Sequence, residues 1–479
     1  MNSLNMAIQR NSDRGLIGLA LLFGAVLTLS IGSLGPNLVL SAMLATSLVS
    51  GVLLLWRPYD SPILLVIFLF QWLQASMSVF RASFLGIPVD ELYDIPGAFS
   101  EAIVLSHISL VAMAVGMRFV VGRATRAAPR AAHAQIANLP MNLWLKLYVV
   151  FWGVNFAANF GASLVPGLSQ IFLGMINLKW GIFFIIGMVH FAQPKKSGYW
   201  FYLIFALELM LGLGSFFSDF KTVFIVTFMS MIAAGMRITP RWALLSVGLV
   251  ASATYMGILW TAIKGEYRSY VTQGSVTQSI QVSQTESMSA MVRMASSVDA
   301  ERFSEATDEL AERLSYIKFF GATLEYVPTQ VPHENGSLSM DAISRPFMPR
   351  VFFPSKSIID DSVRTAYYTG LEISGRERGT SISLGWVAEL YIDFGKWFLP
   401  LAAMALGAFY GFIHRYLLNW RESAGIIGVA FSTSILIGAL FLETSLTKVF
   451  GGVIASLIAT WLVIKFFMPI VAPELVRKR

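Results

Sequence analysis

The stretch SRPFMPRVFFPSKS, Ser344 to Ser357, carries Arg345, Arg350 and Lys356, three prolines, three phenylalanines and no acid. Arg364, Arg376 and Arg378 continue the basic series, against Asp360, Asp361, Glu372 and Glu377. Arginine presents a planar fork of donors that matches a phosphate bidentately and never loses its charge. Proline fixes φ, so donors set between prolines begin partly ordered. The chemistry this pattern serves is the holding of an anion, phosphate first of all. The plainer reading of the same residues is a solvated loop that touches lipid headgroups.

The turn GLGSFFSDFKT puts Asp219 and Lys221 together between two apolar runs, where a capped turn is the plainer reading. Glu389 and Asp393 stand four apart on one helical face, with Lys396 following. Two like charges on an apolar helix are tolerated where they meet water, a cation or a sugar. Within apolar runs lie Glu208, Lys179 and His107, and Asn155 and Asn159 share a face. A Glu208–Lys179 pair joining two helices is expected, with the asparagines as interhelical hydrogen-bonding groups.

Metal and nucleotide chemistry find no motif. There are five histidines and no cysteine, with no H-x₃-H or H-E-x-x-H spacing, no Walker A loop and no dinucleotide fingerprint. No cofactor is expected, so energy must come from the substrate, or from nothing.

These residues need a scaffold, and composition says which. The 479 residues are 56% hydrophobic and only 13% charged, with mean hydropathy +0.65; a soluble domain carries about 25% charge. The chain is an all-α polytopic membrane protein. Apolar runs predict twelve spans, near 15–33, 36–56, 61–80, 101–121, 142–163, 172–192, 198–217, 221–237, 242–263, 397–414, 425–442 and 447–470. The first is read as a retained helix, because no A-x-A-like cleavage site follows it.

Sixteen Lys and Arg residues flank the spans on one side, and only Arg81, Lys221 and Lys448 occupy short loops on the other. The positive-inside rule then places both termini in the cytoplasm. It also explains the net charge of +7 without nucleic acid as a partner. The chain divides into spans over 1–263, one large external loop over 264–396, and spans over 397–479. The loop holds one or two amphipathic helices between Gln284 and Lys318, as a cap or a lid, and irregular chain from Pro328 to Gly379. The apolar stretch from Ser383 to His414 has 32 residues, too long for one ordinary span. It is divided near Gly395 into a helix in the outer interface or a re-entrant dip, Ser383–Phe394, and a span from near Trp397. No internal repeat of the transporter kind is visible.

With that arrangement in place, two elements resemble the O-antigen polymerase (Wzy-type) and oligosaccharide repeat-unit polymerase families. They are PR-x-F-x-P-x-K (Pro349, Arg350, Phe352, Pro354, Lys356) and E-x-Y-x-x-F-G (Glu389, Tyr391, Phe394, Gly395). The Gly-rich GAFYGF of the following span adds to the likeness. The resemblance implies a GT-C-like membrane fold and a metal-independent glycosyltransferase in the bacterial inner membrane. Its substrate would be a polyprenyl-pyrophosphate-linked oligosaccharide among membrane lipids, with a chain-length regulator as a possible protein partner. Arg350 would be catalytic, with Glu389, Asp219 or His333 as base. Arg345, Arg350, Lys356, Arg364, Arg376, Arg378 and Lys221 would hold pyrophosphate. An O-antigen ligase of the same fold, or a lipid-linked oligosaccharide flippase, are the alternatives.

Overall fold

A computed structural model of the protein describes residues 18, 20–57, 61–122, 139–213, 220–234, 240–273, 281–373, 381–420 and 425–475. Among these residues every regular element is a helix. The apolar runs fold as α1 (Ala20–Gly32), α2 (Leu38–Leu55), α3 (Ile63–Leu85), α4 (Phe99–Val121), α5 (Met141–Leu164), α6 (Ser169–Ile176), α7 (Leu178–Ala192), α8 (Trp200–Leu213), α9 (Lys221–Ala233) and α10 (Pro240–Thr272). Between α10 and the next apolar helix lies an insert of five shorter helices. They are α11 (Gln284–Ser296), α12 (Ala300–Leu314), α13 (Ile317–Tyr326), α14 (Ser337–Ser344) and α15 (Asp361–Thr369). The chain then returns through α16 (Trp386–Leu418), α17 (Ile426–Leu436) and α18 (Leu446–Leu462).

By length and composition eight of the described helical runs can cross a membrane, α6 and α7 counting together as one. Four shorter apolar helices, α1, α8, α9 and the run Ile426–Ala439, accompany them. The protein is therefore a helical polytopic membrane protein. The bundle is centred on α4 and α16. A Cβ on Gly116 would fall on the Met404 carbonyl oxygen, and one on Gly407 would fall on that of Met113. Backbones approach this closely only where a side chain is missing, a packing mode suited to lipid, where hydrophobicity does not drive helices together.

The charges inside the bundle are matched. Lys179 Nζ lies 2.6 Å from Glu208 Oε2, and the Tyr148 hydroxyl donates to the other oxygen. This is the expected pair. His107 is buried, with Nδ1 2.9 Å from the Ser47 hydroxyl, and is a satisfied core histidine. Asn155 of α5 donates to the Ile176 carbonyl at the end of α6 at 2.9 Å, as expected of interhelical glue. Asn159 bonds only within its own helix, to the Asn155 carbonyl. At one end of the bundle Arg57 and Arg118 donate to the Gly122 carbonyl, and Arg415 donates to that of Val120. Three cations thus gather at the C-terminus of α4, where orphan carbonyls and the helix dipole attract them.

Three differences from expectation have local causes. α10 continues past 263 to Thr272, because its polar last turns pair with α12 through Lys264–Glu309 and Glu266–Arg302. Helices α14 and α15 interrupt chain expected to be irregular. α15 carries its own signals: the Asp360 carboxylate accepts from Ser362 N at 3.0 Å, and Gly370 ends the helix at φ 68°. α14 has no cap of its own, and its remote cap is described below.

The division near Gly395 is where α16 breaks: Gly395 has φ 66° and ψ 174°. That region is essentially closed to other residues. A Cβ there would meet only His333, at 3.5 Å, so space is not the obstacle. Gly395→Ala is expected to cost about 1–3 kcal/mol of stability through backbone strain alone. Detergent-solubilised protein can be compared by thermal unfolding, and a wild-type midpoint would contradict the assignment.

Candidate active site

The N-terminal stub of α16, Trp386 to Asp393, is buried throughout. It starts at Gly385 with φ 83°, where a Cβ would stand 2.7 Å from the Leu442 carbonyl oxygen. Glycine lets the stub drive in against the turn that leads to α18. This places Glu389, 1% exposed, at the centre of the site. Its Oε1 accepts from Arg364 Nη1 at 3.1 Å, and its Oε2 accepts from the Leu446 backbone N–H at 2.6 Å. An anion at the first turn of α18 also complements the helix dipole.

Arg364 links this buried carboxylate to the basic stretch. Its other terminal nitrogen lies 4.0 Å from Asp341 Oδ2, and the same oxygen is 2.7 Å from Arg345 Nε. Arg345 further donates to the Ser357 carbonyl and hydroxyl, each at 3.0 Å. Lys356 Nζ donates to the Arg345 carbonyl at 2.7 Å and the Met348 carbonyl at 3.1 Å. Burial, with Arg345 and Arg350 beside it, holds the Lys356 ammonium below the usual lysine range. The α16 stub and the start of the basic stretch are therefore joined by one chain of ion pairs, Glu389–Arg364–Asp341–Arg345.

The outcome for the expected anion ligands is mixed. Arg345, Lys356 and Arg364 have partners within the protein and build the turn. Arg350 is exposed and has no hydrogen-bond or ion-pair partner among the described residues. Val351, Phe352 and Phe353 after it are 50%, 75% and 42% exposed. Val351 rests against Gly167 at the edge of the bundle, and none of the three is buried within it, as a clamp pointed at an internal cavity would require. Lys221 has its Nζ 4.5 Å from the Phe441 ring centroid. Asp219, Arg376 and Arg378 lie outside the described residues.

Of the candidate bases, Glu389 has both oxygens engaged. His333 is half-buried, and its Nδ1 lies 3.1 Å from the Ile392 carbonyl oxygen. In the neutral ring the Nδ1–H tautomer makes that bond, with Nε2 as an acceptor. No protein donor reaches Nε2 among the described residues. Asp393 answers its own charge differently from Glu389. It accepts from Leu338 N at 3.1 Å and Ser339 N at 2.7 Å, capping α14 from another helix. The like pair at i, i+4 is tolerated because one member meets an arginine and the other meets a helix N-terminus.

Sequence reading missed the far wall. Asp361 Oδ2 lies 2.6 Å from Lys448 Nζ at the start of α18. Glu443 is held by Gln74 of α3, whose Oε1 also accepts from Leu442 N at 2.8 Å. Tyr316 lies near Glu443, Asp361 and Glu389, and burial together with these carboxylates pushes its phenol well above the usual value. Gln71 and Gln74, polar and buried inside an apolar span, were the signal: such residues are costly in lipid unless they hold something. Gln71 donates to the Ala439 carbonyl at 2.8 Å and accepts from Trp386 Nε1 at 3.2 Å.

The described residues therefore offer an exposed guanidinium at Arg350 and an open imidazole nitrogen at His333, together with a partly buried frame of ion pairs. Among the described residues no group of three or more His, Asp and Glu is placed to hold a metal ion. No curated protein and no solved structure matches the chain. Residues 91–471, which include the insert, the site and most of the bundle, match the family described as a domain of unknown function (DUF8712), and the chain belongs to that family.

Proposed function

We propose that this protein is a membrane glycosyltransferase that polymerises polyprenyl-pyrophosphate-linked oligosaccharide repeat units into a surface polysaccharide. In this reading the eight long helices and the four shorter apolar ones make twelve spans in a GT-C-like arrangement. Both termini face the cytoplasm of a bacterium, and the insert stands at the outer face of its inner membrane. The observation that carries the reading is the ion-pair chain joining the basic stretch to the α16 stub, which leaves Arg350 unpaired at its rim. Pyrophosphate is a good leaving group, so a transferase outside the cytoplasm needs no nucleotide. It needs positive charge where the leaving group develops negative charge, and a base for the acceptor hydroxyl. Arg350 supplies the first and His333 Nε2 the second. The Arg364–Glu389 pair holds the stub in register and does not touch substrate.

The direct test is turnover of a polyprenyl-pyrophosphate oligosaccharide by purified protein in proteoliposomes, read as a ladder of repeat units. Single-repeat product only, with transfer to a lipid-core acceptor, would identify a ligase. Movement of unaltered substrate across the bilayer would identify a flippase. Topology is tested separately: a reporter at Gly336 is expected to report the outer face and one at Ala128 the cytoplasm. Cytoplasmic signal at Gly336 would overturn the placement of the site.

A further inference from the structure

The turn around Arg350 has its polar groups folded inward and its apolar ones outward, the reverse of a loop in water. Lys356 and Arg345 satisfy the carbonyls of Arg345, Met348 and Ser357. Phe347, Phe352 and Ile358 are 65%, 75% and 65% exposed. Val351 and Phe353 on the turn and Met340 on α14 are exposed as well.

This surface does not stand apart from the bundle. Val351 sits against the corner between α5 and α6, where a Cβ on Gly167 would stand 2.5 Å from Val351 Cγ2. Leu164 and Val165 at that corner, and Phe156 and Phe160 along α5, are themselves exposed. α5 is one of the helices able to cross a membrane. An apolar belt thus runs without a break from a membrane-crossing helix onto the turn, at the level where that helix ends. An unpaired arginine at such a level has a long apolar stem for the belt and a charged head for the phosphate layer.

We propose that the segment from Met340 to Ile358 is seated in the bilayer interface, with its apolar side chains among acyl chains and Arg350 on a lipid phosphate. The inference rests on the membrane-crossing reading of α5 and not on glycosyl transfer. If the transferase reading also holds, the lipid-linked substrate reaches Arg350 sideways, from within the leaflet.

The chain contains no cysteine, so single cysteines can be labelled without background. Phe352→Cys, with Val351→Cys as a second position and Gln330→Cys as an exposed polar comparison, would carry an environment-sensitive fluorophore in nanodiscs. Brominated phosphatidylcholine should quench the labels at 352 and 351 strongly and the label at 330 little, with aqueous iodide giving the opposite order. Iodide quenching at 352 and 351 equal to that at 330, without lipid quenching, would overturn the proposal. With bromine confined to a minor phosphatidylglycerol component, Arg350→Ala should lower the local enrichment of that lipid about fivefold, the worth of one basic side chain at an anionic surface. Unchanged enrichment would overturn the phosphate contact. Neither readout depends on turnover, so its failure is separable from failure of the transferase reading.

Discussion

Arg350→Ala is expected to abolish long-chain polymer while yield and thermal stability stay at wild-type levels. The guanidinium is exposed and bonds to nothing described in the protein, so its removal should move stability by no more than about 0.5 kcal/mol. A lost contact to the charge that develops on a leaving group costs on the order of 10²–10³ in rate. Arg350→Lys should rescue poorly, because a point charge cannot reproduce a bidentate fork. Lys356→Ala is expected to behave differently. Its ammonium ties the turn to two carbonyls, so losses of activity and stability should come together. Rate is read by product ladders and stability by thermal unfolding. Normal polymer from Arg350→Ala would remove the arginine from the mechanism.

The second large effect concerns the frame. Glu389→Ala leaves the mostly buried Arg364 without its carboxylate, and Arg364→Ala leaves Glu389, 1% exposed, without its cation. Each single change is expected to destabilise the protein by about 3–5 kcal/mol, because an uncompensated buried charge remains. The double change should cost clearly less than the sum, since it removes both charges together. Additive losses in this cycle would show that the pair does not hold the stub in place. Glu389→Gln keeps the shape and an acceptor for Leu446 N, and should be the mildest of the set.

Much of the framework is legible in the sequence. Long uncharged runs are themselves the condition for crossing lipid, so the described helices fall on the apolar stretches. The break at Gly395 shows as a length problem, 32 residues where a span needs about 20. The Lys179–Glu208 pair shows as two charges that neither helix could bury alone. The site was legible in part. Residue type marks the stretch around Arg350 as cationic, but type cannot say which cations are already paired. Arg364 is paired with Glu389, on a separate helix, and Lys356 with the carbonyls of Arg345 and Met348, while Arg345 takes Asp341 four positions before it and Ser357 twelve after. Asp393 illustrates the same limit, because its partner is the backbone of α14, and backbone N–H groups leave no mark in a sequence. Lys448 enters the sequence reading only as one of three cations in short loops, and Glu443, held by Gln74 of another helix, does not enter it.

The glycine contact between α4 and α16 bears on how the molecule is made. Gly116 meets the backbone at Met404, and Gly407 meets that at Met113, so the centre of the bundle joins residues nearly three hundred positions apart. A ribosome that has delivered α4 has still to deliver α5 to α10 and the whole insert before that helix finds its partner. Until then the face around Gly116 is open to lipid or to an insertion chaperone. The insert must cross or settle before the strut that supports its site exists. Assembly of the site is therefore a late event in biogenesis, and a nascent chain arrested before Trp386 should retain its early spans yet lack the protease resistance of the finished bundle.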